Sequence, residues 1–207
     1  DLPGHGDSPA EGCDGVSAAA AVQEVVEHLG LTDPVVVGHS LGGNTALLHG
    51  ALFGPRSVVA VDPVPLHLPH LVDALAPWAD RLEGDDFEAA FHEWEQDTFA
   101  LRDLPEPLAT ELTSGLVPKQ EVVLAYWAGV LRRPEAEATQ EQFAEALAAI
   151  TVPTLVLLGA EPTPEDAAVL ATMPTTTAEV VGDGHFLHLV DEARFADRLR
   201  AWIADLP

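Results

Sequence analysis

A glycine-rich turn around Ser40 is the segment of the sequence best suited to chemistry. It reads Gly38-His39-Ser40-Leu41-Gly42 and lies between a Val-rich run and a helix-compatible stretch. A sharp turn from strand to helix brings backbone segments close together, so we expect the glycines on both sides of Ser40 to be required. Such a turn exposes the serine hydroxyl and directs the Leu41 N–H toward a developing oxyanion. The spacing therefore predicts nucleophilic catalysis by Ser40.

A serine hydroxyl is a weak nucleophile unless a base accepts its proton. Of the nine histidines, His185 lies in a glycine-containing loop between the last predicted strand and the last predicted helix. In the strand–turn–helix architecture the base occupies this late position, so His185 is the predicted base. His188 follows closely, but no cluster of carboxylates or cysteines accompanies the pair, and we expect no metal and no organic cofactor.

The elements that would position these residues alternate between strands and helices. Runs of Val and Leu predict buried strands over residues 34–38, 57–62, 152–158 and 178–181. Apolar residues at helical spacing predict helices over 16–30, over 40–53 and at the C-terminus. In the first helix this spacing predicts a buried face of Val22, Val25, Val26 and Leu29. The alternation predicts an α/β fold with a parallel sheet flanked by helices.

Strand signals are absent from residues 66–150, where helical stripes predominate. We expect these residues to form a helical cap on a core made of residues 1–65 and 151–207. The segment is rich in aromatic residues: Trp78, Phe87, Phe91, Trp94, Phe99, Tyr126 and Trp127. They either form the core of the cap or line a pocket for an apolar or aromatic group, and both interpretations stay open. On the second, Trp94 and Trp127, together with His39, are candidate substrate-binding residues.

Composition limits the classes of partner. The chain carries 34 acidic and 9 basic residues, a net charge of -25, which excludes nucleic acid and anionic membrane surfaces as favoured partners. A single cysteine, Cys13, cannot form an intramolecular disulfide. No apolar run reaches the roughly 18 residues of a membrane helix and no signal peptide is visible. We therefore expect a cytoplasmic protein that acts on a small molecule, and its oligomeric state is left open.

Four segments together resemble the α/β-hydrolase superfamily. They are DLPGHGDS at residues 1–8, GHSLGG at 38–43, VPTLVLLG at 152–159 and GHFLHL at 184–189. The resemblance implies a capped parallel sheet and hydrolysis of an ester, thioester or related carbonyl substrate through an acyl-enzyme. It matches Ser40 to the nucleophile and His185 to the base. A serine at this position argues against haloalkane dehalogenases and epoxide hydrolases, which carry aspartate there.

The acid that orients His185 is not fixed by the resemblance. The usual position, three residues after Gly159, is occupied by Pro162, which has no carboxylate. The candidates that remain are Asp62, which we favour, then Glu161, Asp166 and Asp183. Asp62 has a second interpretation as an ordinary turn residue before a proline.

Resembling proteins carry several strands, and a His-Gly pair that supplies an oxyanion donor, before the loop that matches residues 1–8. None of these precedes Asp1 here, so we expect a fragment, with the strand over 34–38 at an exposed edge. Low stability and weak catalysis are then expected of this chain alone. Two other functions fit the same fold: a small-molecule receptor or pseudoenzyme, and a hydrolase of carbon–carbon bonds that uses the same serine.

Overall fold

A computed structural model describes residues 1–98, 104–105, 108–113, 118–182 and 184–207. Within them, four parallel strands form one sheet in the order β1 (Val35–His39), β2 (Ser57–Val61), β3 (Thr154–Leu158) and β4 (Thr176–Val180). Each strand pairs with the next, and Val36 lies opposite Val58 at the β1–β2 junction. Each predicted strand is confirmed, with its ends displaced by no more than two residues. The predicted burial is correct for β2 and β3 but wrong for β1 and β4, because these two lie at the edges of the described sheet.

Helices precede and follow the described strands and also connect one strand to the next, as a parallel sheet requires. They are α1 (Gly15–His28) and α2 (Leu41–Phe53) around β1, α9 (Pro164–Leu170) between β3 and β4, and α10 (Leu187–Val190) and α11 (Glu192–Ala204) after β4. The first helix begins where the Asp14 side chain accepts hydrogen bonds from the N–H groups of Val16 and Ser17. The predicted α/β class is confirmed. Among the described residues no helix is both long and apolar enough to span a membrane.

Every described element between β2 and β3 is a helix. These helices are α3 (Leu68–Leu75), α4 (Ala79–Leu82), α5 (Phe87–Thr98), α6 (Leu108–Thr113), α7 (Gln120–Trp127) and α8 (Arg133–Ala148). Their apolar residues share one cluster with the sheet, since Leu75 and Leu147 belong to the same buried set as Val58 and Val156. The division into a core and a cap therefore stays a prediction. Phe99 lies outside the described residues.

The two faces of the sheet are buried by different elements. Val58 and Ala60 of β2 belong to the large cluster with α2 and the helical segment, whereas Val59 and Val61 belong to a second, smaller cluster. This second cluster is covered by Leu187 and by residues of α11. Alternate residues of one strand point to opposite faces, so β2 contributes to both clusters.

Helix α1 buries a different face from the predicted one. Val25 and Leu29 are exposed, while Ala18 and Ala19 are fully buried. The small alanines allow α1 to pack closely against α2, where a side chain at Gly15 would come within 2.8 Å of Leu48. Close packing of two helices thus decides the buried face here: of the predicted residues, Val22 and Val26 are partly buried, and Val25 and Leu29 point to solvent.

Candidate active site

Ser40 occupies the turn between β1 and α2 in a backbone conformation that is rare for a residue with a side chain. Its φ is 55° and its ψ is -123°. The Ser40 N–H donates to the Val61 carbonyl at 3.0 Å, which continues the β1–β2 pairing past the end of β1. The Ser40 carbonyl accepts from the Gly43 N–H at 2.8 Å. These backbone bonds hold the strained turn, while the hydroxyl makes no hydrogen bond to a described residue.

The two glycines of the motif have different roles. A Cβ atom placed on Gly38 would lie 1.9 Å from the Gly42 carbonyl oxygen, so the turn cannot form with a side chain there. A Cβ atom on Gly42 would have no atom within 4 Å. The expectation that both glycines are required is correct for Gly38 and wrong for Gly42, because the turn brings the α2 backbone back over Gly38 only.

The Leu41 N–H is placed where negative charge is favoured. Leu41 is the first residue of α2, and its N–H donates to no acceptor among the described residues. Unpaired N–H groups and the helix dipole both favour an anion at a helix N-terminus. The group is thus available to an oxyanion formed next to the Ser40 hydroxyl.

Asp62 and His185 are joined by a hydrogen bond. His185 Nδ1 donates to Asp62 Oδ2 at 2.7 Å, and the other carboxylate oxygen, Oδ1, accepts from the Gly159 N–H at 2.8 Å. Asp62 follows β2 with a φ of 38°, and its own N–H donates to the Leu157 carbonyl at 2.7 Å. A carboxylate on Nδ1 fixes the ring tautomer and leaves Nε2 as the atom that can accept a proton.

The other candidate acids do not make this contact. Asp166 accepts hydrogen bonds from the His67 N–H and the Thr163 hydroxyl near the start of α9. Glu161 lines a cavity that His185 also lines, but it has no hydrogen bond or ion pair with the described residues. Asp183 lies outside the described part of the chain. Among the described carboxylates, Asp62 is thus the one bonded to the His185 ring.

Ser40, Asp62 and His185 are all located at the carboxyl end of the sheet. Ser40 and Asp62 follow neighbouring strands, and His185 follows β4 and reaches back to Asp62. Ligands of open α/β sheets bind at this end, where loops from separate strands meet. The described residues include no group of three or more His, Cys, Asp or Glu side chains that could hold a metal ion.

The His39 ring contacts both the backbone and the ring of His185. His39 Nε2 donates to the His185 carbonyl oxygen at 2.8 Å, and the His39 ring lies 4.5 Å from the His185 ring and 4.3 Å from the His188 ring. Burial, and next the nearby His185, lower the pKa of His39 to about 4, so the ring is neutral at pH 7. His39 was expected to bind substrate, but it does not line the cavities beside Ser40 and His185. The bond from His39 to the His185 carbonyl could not be predicted from the sequence, because no local pattern indicates it.

Two cavities adjoin these residues. One, of about 360 Å³, is lined by Asp62 and His185, and the other, of about 290 Å³, by Ser40 and Leu41. Residues shared by both walls are Val64, Leu71 and Trp94. Trp127 lines the Ser40 cavity, and its ring lies 4.7 Å from that of Trp94. Both tryptophans also pack against the large apolar cluster, so the two interpretations of the aromatic residues are compatible.

Solved structures with the same fold include several enzymes. The chain is similar to a bromoperoxidase from Bacillus anthracis (20% identity, TM-score 0.76, 99% of this chain and 80% of that one). It is also similar to an esterase from Exiguobacterium antarcticum (20% identity, TM-score 0.71, 99% of this chain and 80% of that one). A third similar structure is a thermophilic esterase from Thermogutta terrifontis (22% identity, TM-score 0.75, 100% of this chain and 78% of that one). At these identities the likeness shows the fold alone.

Sequence comparison identifies the family. No curated protein shows significant similarity to the chain. A sequence model of the alpha/beta hydrolase family, in contrast, matches residues 1–198, which is nearly the whole chain. That match agrees with the parallel sheet, the strained turn at Ser40 and the solved structures of the same fold. The chain therefore belongs to the alpha/beta hydrolase family.

Proposed function

We propose that the protein is a serine hydrolase that acts on an ester, a thioester or a related carbonyl compound. Ser40 is the nucleophile, His185 the general base and acid, and Asp62 the carboxylate that orients His185. The observation that carries the proposal is the 2.7 Å bond from His185 Nδ1 to Asp62 Oδ2, made at the sheet end where Ser40 lies in its strained turn.

Acylation begins when the Ser40 oxygen attacks the carbonyl carbon and its proton passes to His185 Nε2. The carbonyl π electrons move to oxygen, and the Leu41 N–H donates to the resulting oxyanion. Collapse of this intermediate breaks the bond to the leaving group, which takes the proton from His185. Asp62 stabilises the imidazolium formed between these two proton transfers.

Deacylation follows the same steps, with water as the nucleophile in place of Ser40. His185 accepts a proton from the water that attacks the acyl-enzyme, and then returns the proton to the Ser40 oxygen as the acid product leaves. The apolar and aromatic walls of the two cavities support a substrate with an apolar or aromatic portion.

Covalent labelling tests the nucleophile directly. We expect a fluorophosphonate probe to modify the wild-type protein at Ser40, and Ser40→Ala to lower turnover of p-nitrophenyl esters by about 10⁵-fold or more. Peptide mapping by mass spectrometry identifies the labelled residue. Ser8→Ala is the matched control, because the Ser8 hydroxyl bonds to the Asp1 carbonyl in the N-terminal loop. Retained turnover in Ser40→Ala contradicts the proposal.

The same experiments separate the other two functions. Binding of a small ligand without labelling or turnover is the result expected of a receptor or pseudoenzyme. Cleavage of a β-diketone without turnover of esters is the result expected of a carbon–carbon bond hydrolase.

A further inference from the structure

The cavity beside Ser40 combines aromatic rings with one charged group. Phe91, Trp94 and Trp127 form part of its wall, with ring centroids of Trp94 and Trp127 4.7 Å apart and those of Phe91 and Trp127 6.1 Å apart. Glu95, which follows Trp94 on α5, lines the same cavity. Among the described lining residues it is the only one that carries a charge.

Within the described part of the chain, the Glu95 carboxylate forms no ion pair. No hydrogen bond or ion pair joins it to a described residue, although it is partly buried, and burial raises its pKa despite the opposing effect of His92. Glu93 on the same helix differs, because it forms an ion pair with Arg81 at 2.6 Å. A carboxylate withdrawn from water without a partner is unfavourable, and a bound cation would remove that cost.

Asn44 gives an independent indication of the same chemistry. Asn44 lines the cavity and is only 7% exposed, and its Oδ1 atom is buried without a hydrogen-bond partner among the described residues. The Tyr126 hydroxyl, also in the wall, donates to the Pro3 carbonyl. Glu95 and Asn44 thus each place in this wall an acceptor that no described residue uses, beside aromatic rings.

We propose that this cavity binds a cationic, ammonium-type group of the substrate. Aromatic faces attract ammonium groups through their negative π surfaces, and the Glu95 carboxylate adds a full opposite charge. The net charge of -25 also favours the approach of cations and disfavours anions. The inference rests on the proposed function, since it assigns the substrate class to the cavity that Ser40 lines.

Matched esters test the charge preference. The substrates are the p-nitrophenyl ester of trimethylammoniobutyrate, its neutral analogue with a tert-butyl group in place of trimethylammonium, and the anionic p-nitrophenyl hemiglutarate. We expect wild-type kcat/KM to be about tenfold or more higher for the cationic ester than for the neutral one, and lowest for the anionic ester.

Glu95→Gln keeps the shape of the side chain and removes its charge. It should abolish the preference for the cationic ester, because kcat/KM should fall about tenfold more for the cationic ester than for the neutral one. Glu88→Gln, an equal charge change at an exposed position of the same helix, should keep the preference. An unchanged preference in Glu95→Gln, or an equal loss on both esters, overturns the inference.

A binding measurement distinguishes failure of this inference from failure of the proposed function. Ser40→Ala protein is titrated with benzyltrimethylammonium and with its neutral analogue neopentylbenzene, and binding is followed by tryptophan fluorescence. We expect tighter binding of the cation, and loss of that difference when Glu95→Gln is added. If no ester is hydrolysed but this difference is found, the proposed function fails and the cation site stands. If the cation binds no better than neopentylbenzene, the site fails whatever the esterase activity.

Discussion

Strands β1 and β2 are neighbours of similar sequence, and each leads into a residue on which the proposed chemistry depends. Both are Val-rich, and both are followed by a non-glycine residue with positive φ, Ser40 after β1 and Asp62 after β2. In each case the N–H of that residue donates to the next strand, from Ser40 to the Val61 carbonyl and from Asp62 to the Leu157 carbonyl. The same backbone device therefore holds both strained residues.

The two strands differ in their surroundings. All residues of β2 are buried and β2 pairs on both sides, whereas β1 forms an edge of the described sheet and its Val37 is 44% exposed. Asp62 is held at both carboxylate oxygens, while the Ser40 hydroxyl has no partner among the described residues. The comparison shows how one sheet fixes the proposed acid at its centre, while the hydroxyl of the proposed nucleophile is left without a bond to any described residue.

The largest expected effect on activity comes from a change at Asp62, which follows the central strand β2. Asp62→Asn should lower kcat for ester hydrolysis by about 10³–10⁴-fold, because an amide cannot stabilise the imidazolium and favours the wrong tautomer of His185. Steady-state kinetics measure the loss, and thermal unfolding checks that the fold is retained. Asp166→Asn is the control, since no hydrogen bond joins Asp166 to His185 among the described residues and asparagine can still accept from the His67 N–H or the Thr163 hydroxyl; an equal loss there would refute the role of Asp62.

Gly38→Ala tests how tightly the turn after β1 is closed. The added methyl would lie 1.9 Å from the Gly42 carbonyl oxygen, so the backbone must move, and we expect a loss of about 2–4 kcal/mol in the free energy of unfolding. Gly42→Ala meets no atom within 4 Å and should change stability by less than about 1 kcal/mol. Urea denaturation of both variants gives the two values; similar values would mean that the turn is not closed as described.

Truncation of one valine in each strand measures burial directly. Val59→Ala removes two methyl groups from a fully buried site and should cost about 2–3 kcal/mol. Val37→Ala removes the same atoms from a half-exposed edge and should cost less than about 1 kcal/mol. Urea denaturation of the two variants measures the loss in the free energy of unfolding. Equal losses would show that β1 is as well buried in solution as β2.

The smallest expected effect concerns the last residue of β1. The pKa of His39 is lowered in the folded protein to about 4, so the unfolded chain binds more protons as the pH falls, and stability falls from about pH 6.5 to about pH 4. His39→Gln removes this titration and should reduce the fall in Tm over that range by about 2–4 °C. Thermal unfolding at a series of pH values measures it. Identical pH profiles would show that His39 is not held neutral.

Local signals account for the parts of the fold that sequence predicts well. Continuous β-branched runs located β1 and β2, and the glycines around Ser40 located the turn, because these preferences act over a few residues. The same signals do not separate an edge strand from a central one, since the Val-rich runs of β1 and β2 look alike. Position in the sheet is decided by neighbours that are distant in sequence.

Contacts between distant segments account for what the sequence leaves open. The bond from His185 to Asp62 spans 123 residues and the bond from His39 to the His185 carbonyl spans 146, so neither follows from local spacing. For the same reason Asp62 could be favoured over Glu161 only by weighing family positions. The place of Glu95 in the cavity wall could not be predicted, because a single glutamate on a helix is normally solvated. Only the orientation of α5 brings it to the cavity wall.

The wall common to the two cavities limits how the specificity of this protein can change during evolution. Because Trp94, Val64 and Leu71 border both cavities, a mutation at any of them alters both of the proposed substrate-binding surfaces at once, and its benefit for one part of a substrate depends on its effect on the other. Phe143 borders only the Ser40 cavity and Leu158 only the His185 cavity. Mutations at Phe143 and Leu158 should therefore have additive effects on specificity. The effect of a mutation at Trp94 should depend strongly on the residues present elsewhere in both cavities, in natural evolution as in directed evolution.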